Sequence, residues 1–164
     1  MKVLFLYPNH KGMNMLPPAI GLLTSCLKRH FHQVEVFDTT NYDSVEIEGI
    51  IDETDSDGSK SERLMAKPYT MPGEVQIKYS NVYKDFKEKV NSFKPELLAL
   101  SCTEDMFHLG LNLLKVVDKK ILTIAGGVFP TFAPKIVLNY DEIDIVCKGE
   151  GENALTELCN RIEK

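Results

Sequence analysis

With 164 residues, 43% of them hydrophobic, the chain is long enough to bury the core of one domain. No run approaches the roughly 18 apolar residues of a membrane span, and the N-terminus lacks the small-residue cleavage site of a signal peptide. The net charge of −5 hides an asymmetry: positions 43–63 carry eight acids against Lys60 and Arg63, so the remainder stands at +1 and offers no basic footprint for nucleic acid.

The elements read in order as five β-α units. Val3–Tyr7 is a first strand, and Pro17-Pro18 opens a helix with Ala19, Leu22, Leu23, Cys26 and Leu27 at helical spacing. Gln33–Asp38 alternates as a second strand near a sheet edge. The next helix is displaced by an acidic, Ser/Gly-containing insertion over 41–75, and resumes with Tyr79, Val82, Tyr83, Phe86, Val90 and Phe93 on one face. Pro95 stops it, and Leu97–Cys102 is a continuous apolar strand of the kind buried on both faces. A helix over about Glu104–Lys119 turns Met106, Leu109, Leu113, Val116 and Val117 inward. The strand Ile121–Ala125, a helix over about Pro130–Asn139, the strand Ile143–Cys147 and a helix over Glu152–Ile162 complete the chain. This alternation predicts a doubly wound parallel sheet of flavodoxin-like order 2-1-3-4-5, one domain over 1–164.

Two glycine clusters stand out because each lies between a strand and a helix: Gly126-Gly127 and Gly149-Glu150-Gly151. Such turns let the backbone approach a ligand and aim helix N–H groups at it. Two on consecutive units predict one binding edge at the carboxyl ends of the strands. Turn and helix-entry chemistry without a ligand is the alternative.

Known doubly wound sites fail at the same edge. A phosphoryl-accepting receiver needs acids where Tyr7-Pro8-Asn9 and Ser101-Cys102-Thr103 stand. Asn9-His10-Lys11-Gly12-Met13 is a poor flavin phosphate loop, and Gly-x-Gly-x-x-Gly is missing after the first strand. Nor do the strand ends supply a nucleophile-base pair or paired carboxylates, which argues against a stand-alone small-molecule enzyme.

What remains is a series of motifs in a fixed order. These are Tyr7-Pro8-Asn9, Leu16-Pro17-Pro18-Ala19-Ile20-Gly21-Leu22-Leu23, Val34-Glu35-Val36-Phe37-Asp38 and Pro95-Glu96-Leu97-Leu98-Ala99-Leu100-Ser101. Gly126-Gly127-Val128-Phe129-Pro130-Thr131 and Gly149-Glu150-Gly151-Glu152 follow. Together they resemble the cobalamin-binding domain at the N-terminus of many radical S-adenosylmethionine enzymes, over nearly the whole chain outside 41–75. The resemblance implies a cobalamin held at the strand ends, with its nucleotide tail in a slot beside Gly126 and Gly127 and a matching approach at Gly149 and Gly151. It implies cofactor contacts from Asn9, His10, Lys11, Gly12, Ser101, Thr103, Val128, Phe129, Thr131 and Glu150. Ser101 and Thr103 would bond the tail's base or the corrin amides; Thr103 as a helix cap is the competing role. Glu152 either supports the turn or is only a favourable charge at a helix start. The parent would be a methyltransferase-like enzyme whose downstream domain holds a 4Fe-4S cluster and S-adenosylmethionine. This chain has no Cys-x-x-x-Cys-x-x-Cys motif to do so, and it ends directly after its fifth helix, as at a domain boundary. The same fold without cobalamin, serving as a structural or substrate-docking domain, is the rival.

In related cobalamin domains a histidine in Asp-x-His-x-x-Gly ligates cobalt. Here Pro8-Asn9-His10-Lys11-Gly12 lacks the Asp and brings the glycine one residue early, so His10 is expected not to ligate and no protein metal ligand is expected. His30 and His32 are expected in solvent at the end of the first helix, and His108 on a helix surface or pocket rim. Asp55-Ser56-Asp57-Gly58 is not a calcium loop, because aligning Gly58 with the loop glycine puts Leu64 where a bidentate Glu is required. The insertion is instead expected to be a solvated, mobile excursion with Met65–Pro72 packed back over the sheet; residues 43–63 are expected to be its most mobile part, dispensable for folding and cut first near Asp57-Gly58-Ser59. Cys26, Cys102, Cys147 and Cys159 fall singly, predicting reduced, mostly buried thiols in a cytoplasmic protein.

Overall fold

A computed structural model describes residues 1–10, 16–43, 76–118 and 120–163. β1 (Lys2–Tyr7), β2 (Gln33–Asp38), β3 (Leu97–Ser101), β4 (Leu122–Gly126) and β5 (Ile145–Val146) form one parallel sheet. Its order is 2-1-3-4-5, as the alternation predicts, with β2 at an edge. The helices are α1 (Pro18–Arg29), α2 (Val82–Phe93), α3 (Glu104–Leu114), the short α4 (Val128–Phe132) and α5 (Pro134–Val137), and α6 (Glu152–Ile162).

Alternation along the strands sorts side chains onto two cores. Leu4, Leu6, Leu98 and Leu100 point to a layer holding Val82, Phe86, Phe107 and Leu111 of α2 and α3. Val3, Phe5, Leu97, Ala99 and Ile124 point the other way, against Ile20 and Leu27 of α1 and Leu155 and Cys159 of α6. Each fully buried Leu or Phe contributes about 1.5–3 kcal/mol, so the central strands are apolar on both faces by necessity.

Several boundaries differ from expectation. In α1 the inward stripe is Ile20, Leu23 and Leu27, whereas Leu22 is half exposed, because packing on sheet and α6 together fixes the helix phase. Tyr79 is not on the buried face of α2: Asn81 caps the helix through Lys84 N–H and starts it at Val82, leaving Tyr79 exposed before it. α3 stops at Leu114, and Val116 and Val117 reach the core from a tightened turn bonded to Leu113 and Leu114. The helix expected over Pro130–Asn139 is split into α4 and α5. Pro134 excludes its predecessor from helical geometry, and Ala133 sits at φ −125°, ψ 47°. β5 is short, but ladder bonds from Asp144 to Thr123 and from Cys147 to Ala125 extend its pairing.

His32, expected in solvent, is buried. Phe31 takes a left-handed conformation (φ 64°) that reverses the chain, placing His32 beneath α6 with Nε2 3.1 Å from Asn160 Oδ1. His30 and His108 are exposed, as expected. The first residues of the insertion are ordered by pairing: Tyr42 bridges Lys78, and Asp43 N–H donates to the Lys78 carbonyl at 2.9 Å. The expectations for 44–75, including Asp57-Gly58-Ser59 and Met65–Pro72, lie outside the described residues. All four cysteines are free; Cys102 and Cys159 are buried and Cys26 and Cys147 half-buried. Among the described residues no helix is long and apolar enough to cross a membrane.

Candidate functional site

At the carboxyl edge of the sheet, on the α1/α6 face, side chains shrink. Down β3 the residues facing α1 and α6 run Leu97, Ala99, Ser101, and down β4 they run Leu122, Ile124, Gly126. The register aligns Phe5, Ala99 and Ile124 in one row and Ser101 and Gly126 in the next. Small residues side by side leave a notch in the sheet. Ala19 and Leu23 of α1 and Leu155 of α6 roof it, and Cys147 to Glu152 close its end. The result is a cavity of about 240 Å³ with mostly apolar walls.

Two glycines at this edge have different reasons to be glycine. Gly127 stands at φ 100°, and a Cβ there would meet the Cys102 carbonyl oxygen at 2.9 Å, so the backbone itself demands glycine. Gly126 is under no such demand: a Cβ would meet only Cys147 atoms, at 3.7 and 4.0 Å. It would project into space the fold leaves empty.

Seven residues given a ligand or turn role from sequence converge on this cavity: Ser101, Gly126, Gly127, Gly149, Glu150, Gly151 and Glu152. Thr131 holds the two glycine turns together rather than lining the wall. Its hydroxyl donates to the Gly127 carbonyl at 2.7 Å and accepts the Gly149 N–H at 3.0 Å. Thr103 occupies the cap position of α3, yet its side chain makes no capping bond. Val128 stands exposed beside Gly127, while Phe129 packs against Phe107 with ring centroids 5.0 Å apart, on the opposite face. Asn9 is buried at the end of β1, exchanging bonds with Thr39 and Thr40 beyond β2. His10 Nδ1 is buried and has no partner among the described residues. Lys11 and Gly12 lie outside the described residues.

Sequence reasoning missed the apolar half of the wall: Phe5, Ala19, Leu23, Ala99, Ile124, Cys147 and Leu155. The taper Leu97-Ala99-Ser101 was a usable signal, since small residues at the end of a buried strand make room. Burial and, secondarily, the Glu152 carboxylate raise the Cys147 thiol pKa. Burial alone pushes Cys102 up to about 12. Neither thiol is a poised nucleophile at neutral pH.

A family model for the B12 binding domain matches residues 73–159, slightly more than half of the chain. No curated protein matches. Among solved structures the chain is similar to the radical S-adenosylmethionine methyltransferase TsrM from Kitasatospora setae. One such structure has tryptophan substrate and a SAM analogue bound, and another has cobalamin and a 4Fe-4S cluster bound. In both cases the TM-score is 0.66, the identity 18% and the coverage 99% of this chain. The chain spans only 26% and 24% of those two chains, about a quarter of their length. At that identity the likeness is one of fold.

Proposed function

The chain belongs to the B12-binding domain family, and from that premise we propose that it holds cobalamin at the carboxyl ends of its strands, with the nucleotide tail in the cavity beneath α1 and α6. The observation that carries this reading is Gly126, a cavity-lining glycine that the fold does not require. Its bare backbone widens a slot whose apolar walls would suit an aromatic base. Phe5, Leu23, Ile124 and Leu155 would exclude water, and the Ser101 hydroxyl would give the base one hydrogen-bonding partner. The first N–H groups of α6 present partial positive charge beside Gly149 and Gly151, suited to a phosphate in the tail. Asn9, His10, Thr103 and Val128 lie at the same edge, where the corrin would rest, and Thr131 would keep both glycine turns in place.

When bound, the corrin supplies organometallic chemistry that no side chain here offers; the protein's part is to bind and orient. In the longer protein we propose a downstream radical S-adenosylmethionine domain carrying the 4Fe-4S cluster, with methyl transfer as the reaction. The support is the shared fold with TsrM, whose structures hold those groups.

Incubation with hydroxocobalamin followed by gel filtration tests the binding. A corrin absorption spectrum eluting with the protein is expected. Its absence at high micromolar cofactor would favour the rival domain that keeps the fold without the cofactor.

A further inference from the structure

We propose that Thr39, acting through Asn9, is a positioning residue for cobalamin: the turn after β2 sets where His10 meets the corrin. This rests on a corrin lying at the carboxyl edge of the sheet, and goes beyond that reading by naming what holds one side of its seat.

The need arises where β1 leaves the sheet. Its pairing with β3 runs to Leu6 and its pairing with β2 to Tyr7, and Pro8 has no N–H to continue either ladder. Asn9 is nevertheless 2% exposed, so its backbone N–H and carbonyl need partners away from the ladder. One atom serves both. The Thr39 hydroxyl accepts the Asn9 N–H and donates to the Asn9 carbonyl, each at 2.7 Å, and Thr39 is fully buried. A hydroxyl can accept and donate from a single oxygen, and Ser shares that capacity whereas Val, of the same shape as Thr, does not.

The Asn9 side chain is held from the same turn. Its amide donates to the Thr40 hydroxyl at 2.9 Å, and that hydroxyl donates in turn to the Asp38 carboxylate. The same carboxylate accepts the Thr40 N–H at 2.9 Å, which fixes the turn itself. Amide, hydroxyl and carboxylate therefore form a directed chain in which each bond strengthens the next. Backbone and side chain of Asn9 are both tied to the end of β2, and a residue so held acts by placing its neighbour. His10 follows directly, its Nδ1 buried at the same edge. A seat fixed before the ligand arrives loses less freedom when the ligand binds.

The test is titration of the 164-residue chain and its Thr39→Val and Thr39→Ser variants, each shown folded by far-ultraviolet circular dichroism, with cobalamin and with tail-less cobinamide. Thr39→Val is expected to weaken both corrinoids about tenfold and by the same factor, because the corrin rather than the tail meets this edge. Thr39→Ser should restore both affinities. The visible circular dichroism of the corrin at saturation, which a loss of stability alone does not move, should change in Thr39→Val and return in Thr39→Ser. If Thr39→Val does not fold, the half-buried Thr40→Val, expected to weaken both about threefold, decides by the same criteria. A folded variant that binds both corrinoids as the wild type does would overturn the positioning role and leave cobalamin binding intact. So would a loss confined to cobalamin, a Ser variant as weak as Val, or wild-type cobinamide binding too weak to measure. A wild-type chain that binds neither corrinoid would reject the cobalamin reading itself, and this proposal with it.

Discussion

The Thr131 hydroxyl accepts the N–H of Gly149, 18 residues away, at 3.0 Å, while donating to the Gly127 carbonyl. One side chain thus spans both glycine turns and fixes their separation. Thr131→Val keeps the shape and removes both bonds. At about 0.5–1.5 kcal/mol per bond, a loss of roughly 1–2 kcal/mol is expected, with severalfold weaker cobalamin binding from less ordered turns. Thr131→Ser should restore most of both. Denaturant titration beside cobalamin titration checks this; a Val variant unchanged in each would show that the turns hold themselves.

The neighbouring glycines should separate binding from folding. The Cβ of Gly126→Leu meets Cys147 at no closer than 3.7 Å, ordinary van der Waals contact, and its side chain enters the slot, so the melting temperature should stay within a few degrees while cobalamin affinity collapses. Gly127→Ala should instead cost about 1–3 kcal/mol, because φ 100° and the Cys102 carbonyl at 2.9 Å both oppose a side chain. The sequence alone treats the pair as equivalent tail-slot glycines; the structure separates them, because only Gly127 is held to glycine by its backbone. Normal binding by Gly126→Leu would move the tail elsewhere.

These two positions also show how far the sequence could be read. The sheet class follows from the β-α alternation and from apolar runs such as Leu97–Ser101, buried on both faces. The strand order rests on analogy with flavodoxin-like sheets and is not dictated by those runs. The glycine clusters are legible for a different reason: they break strong periodic patterns, and the structure gathers them at one sheet edge. What the sequence hides is long-range pairing. That Thr131 spends its hydroxyl on Gly149, and that Phe129 turns to Phe107 while its neighbour Val128 stays exposed, depends on a helix broken at Pro134 and on strand register. Likewise His32 is buried only because Phe31 adopts φ 64°, which a lone aromatic between histidines does not announce.

His10 should not ligate cobalt. A ligating imidazole is normally oriented through its other ring nitrogen, and Nδ1 here is buried with no partner among the described residues. Paramagnetic resonance of bound cob(II)alamin is therefore expected to lack nitrogen splitting from histidine, with His10→Ala indistinguishable from wild type. Splitting that disappears in His10→Ala would reverse the assignment.

Cys147 offers a chemical probe of the cavity. Its thiol pKa is raised first by burial and then by Glu152, so at pH 8 little thiolate is present. Alkylation there should be slow and should accelerate close to tenfold per pH unit while the pH remains below the raised value. Glu152→Gln removes the charge contribution and should speed alkylation at fixed pH. Bound cobalamin should protect the residue, since Cys147 lines the proposed tail slot. Mass mapping of the alkylated chain reads all three effects; a rate insensitive to both Glu152→Gln and cobalamin would place the thiol outside the ligand's reach.

The segment 44–75 should be removable, because its flanks are fastened to each other. Tyr42 bridges Lys78, Lys78 N–H donates to the Asn41 carbonyl at 2.7 Å, and the buried Tyr42 hydroxyl donates to Asp85 of α2 at 3.0 Å. Tyr42 also packs on Phe37, with ring centroids 5.8 Å apart, and that contact does not depend on the intervening chain. Replacing 44–75 by about a dozen Gly/Ser residues, a length that parallel neighbours can cross, should leave the melting temperature within a few degrees. Tyr42→Phe in the full chain should cost more, about 1.5–3 kcal/mol, through the lost bond to a carboxylate. Thermal melts of the two variants, with a cobalamin titration of the first, decide the matter. A deletion less stable than Tyr42→Phe would make the segment integral to the core; a folded deletion unable to bind would make it part of the ligand site.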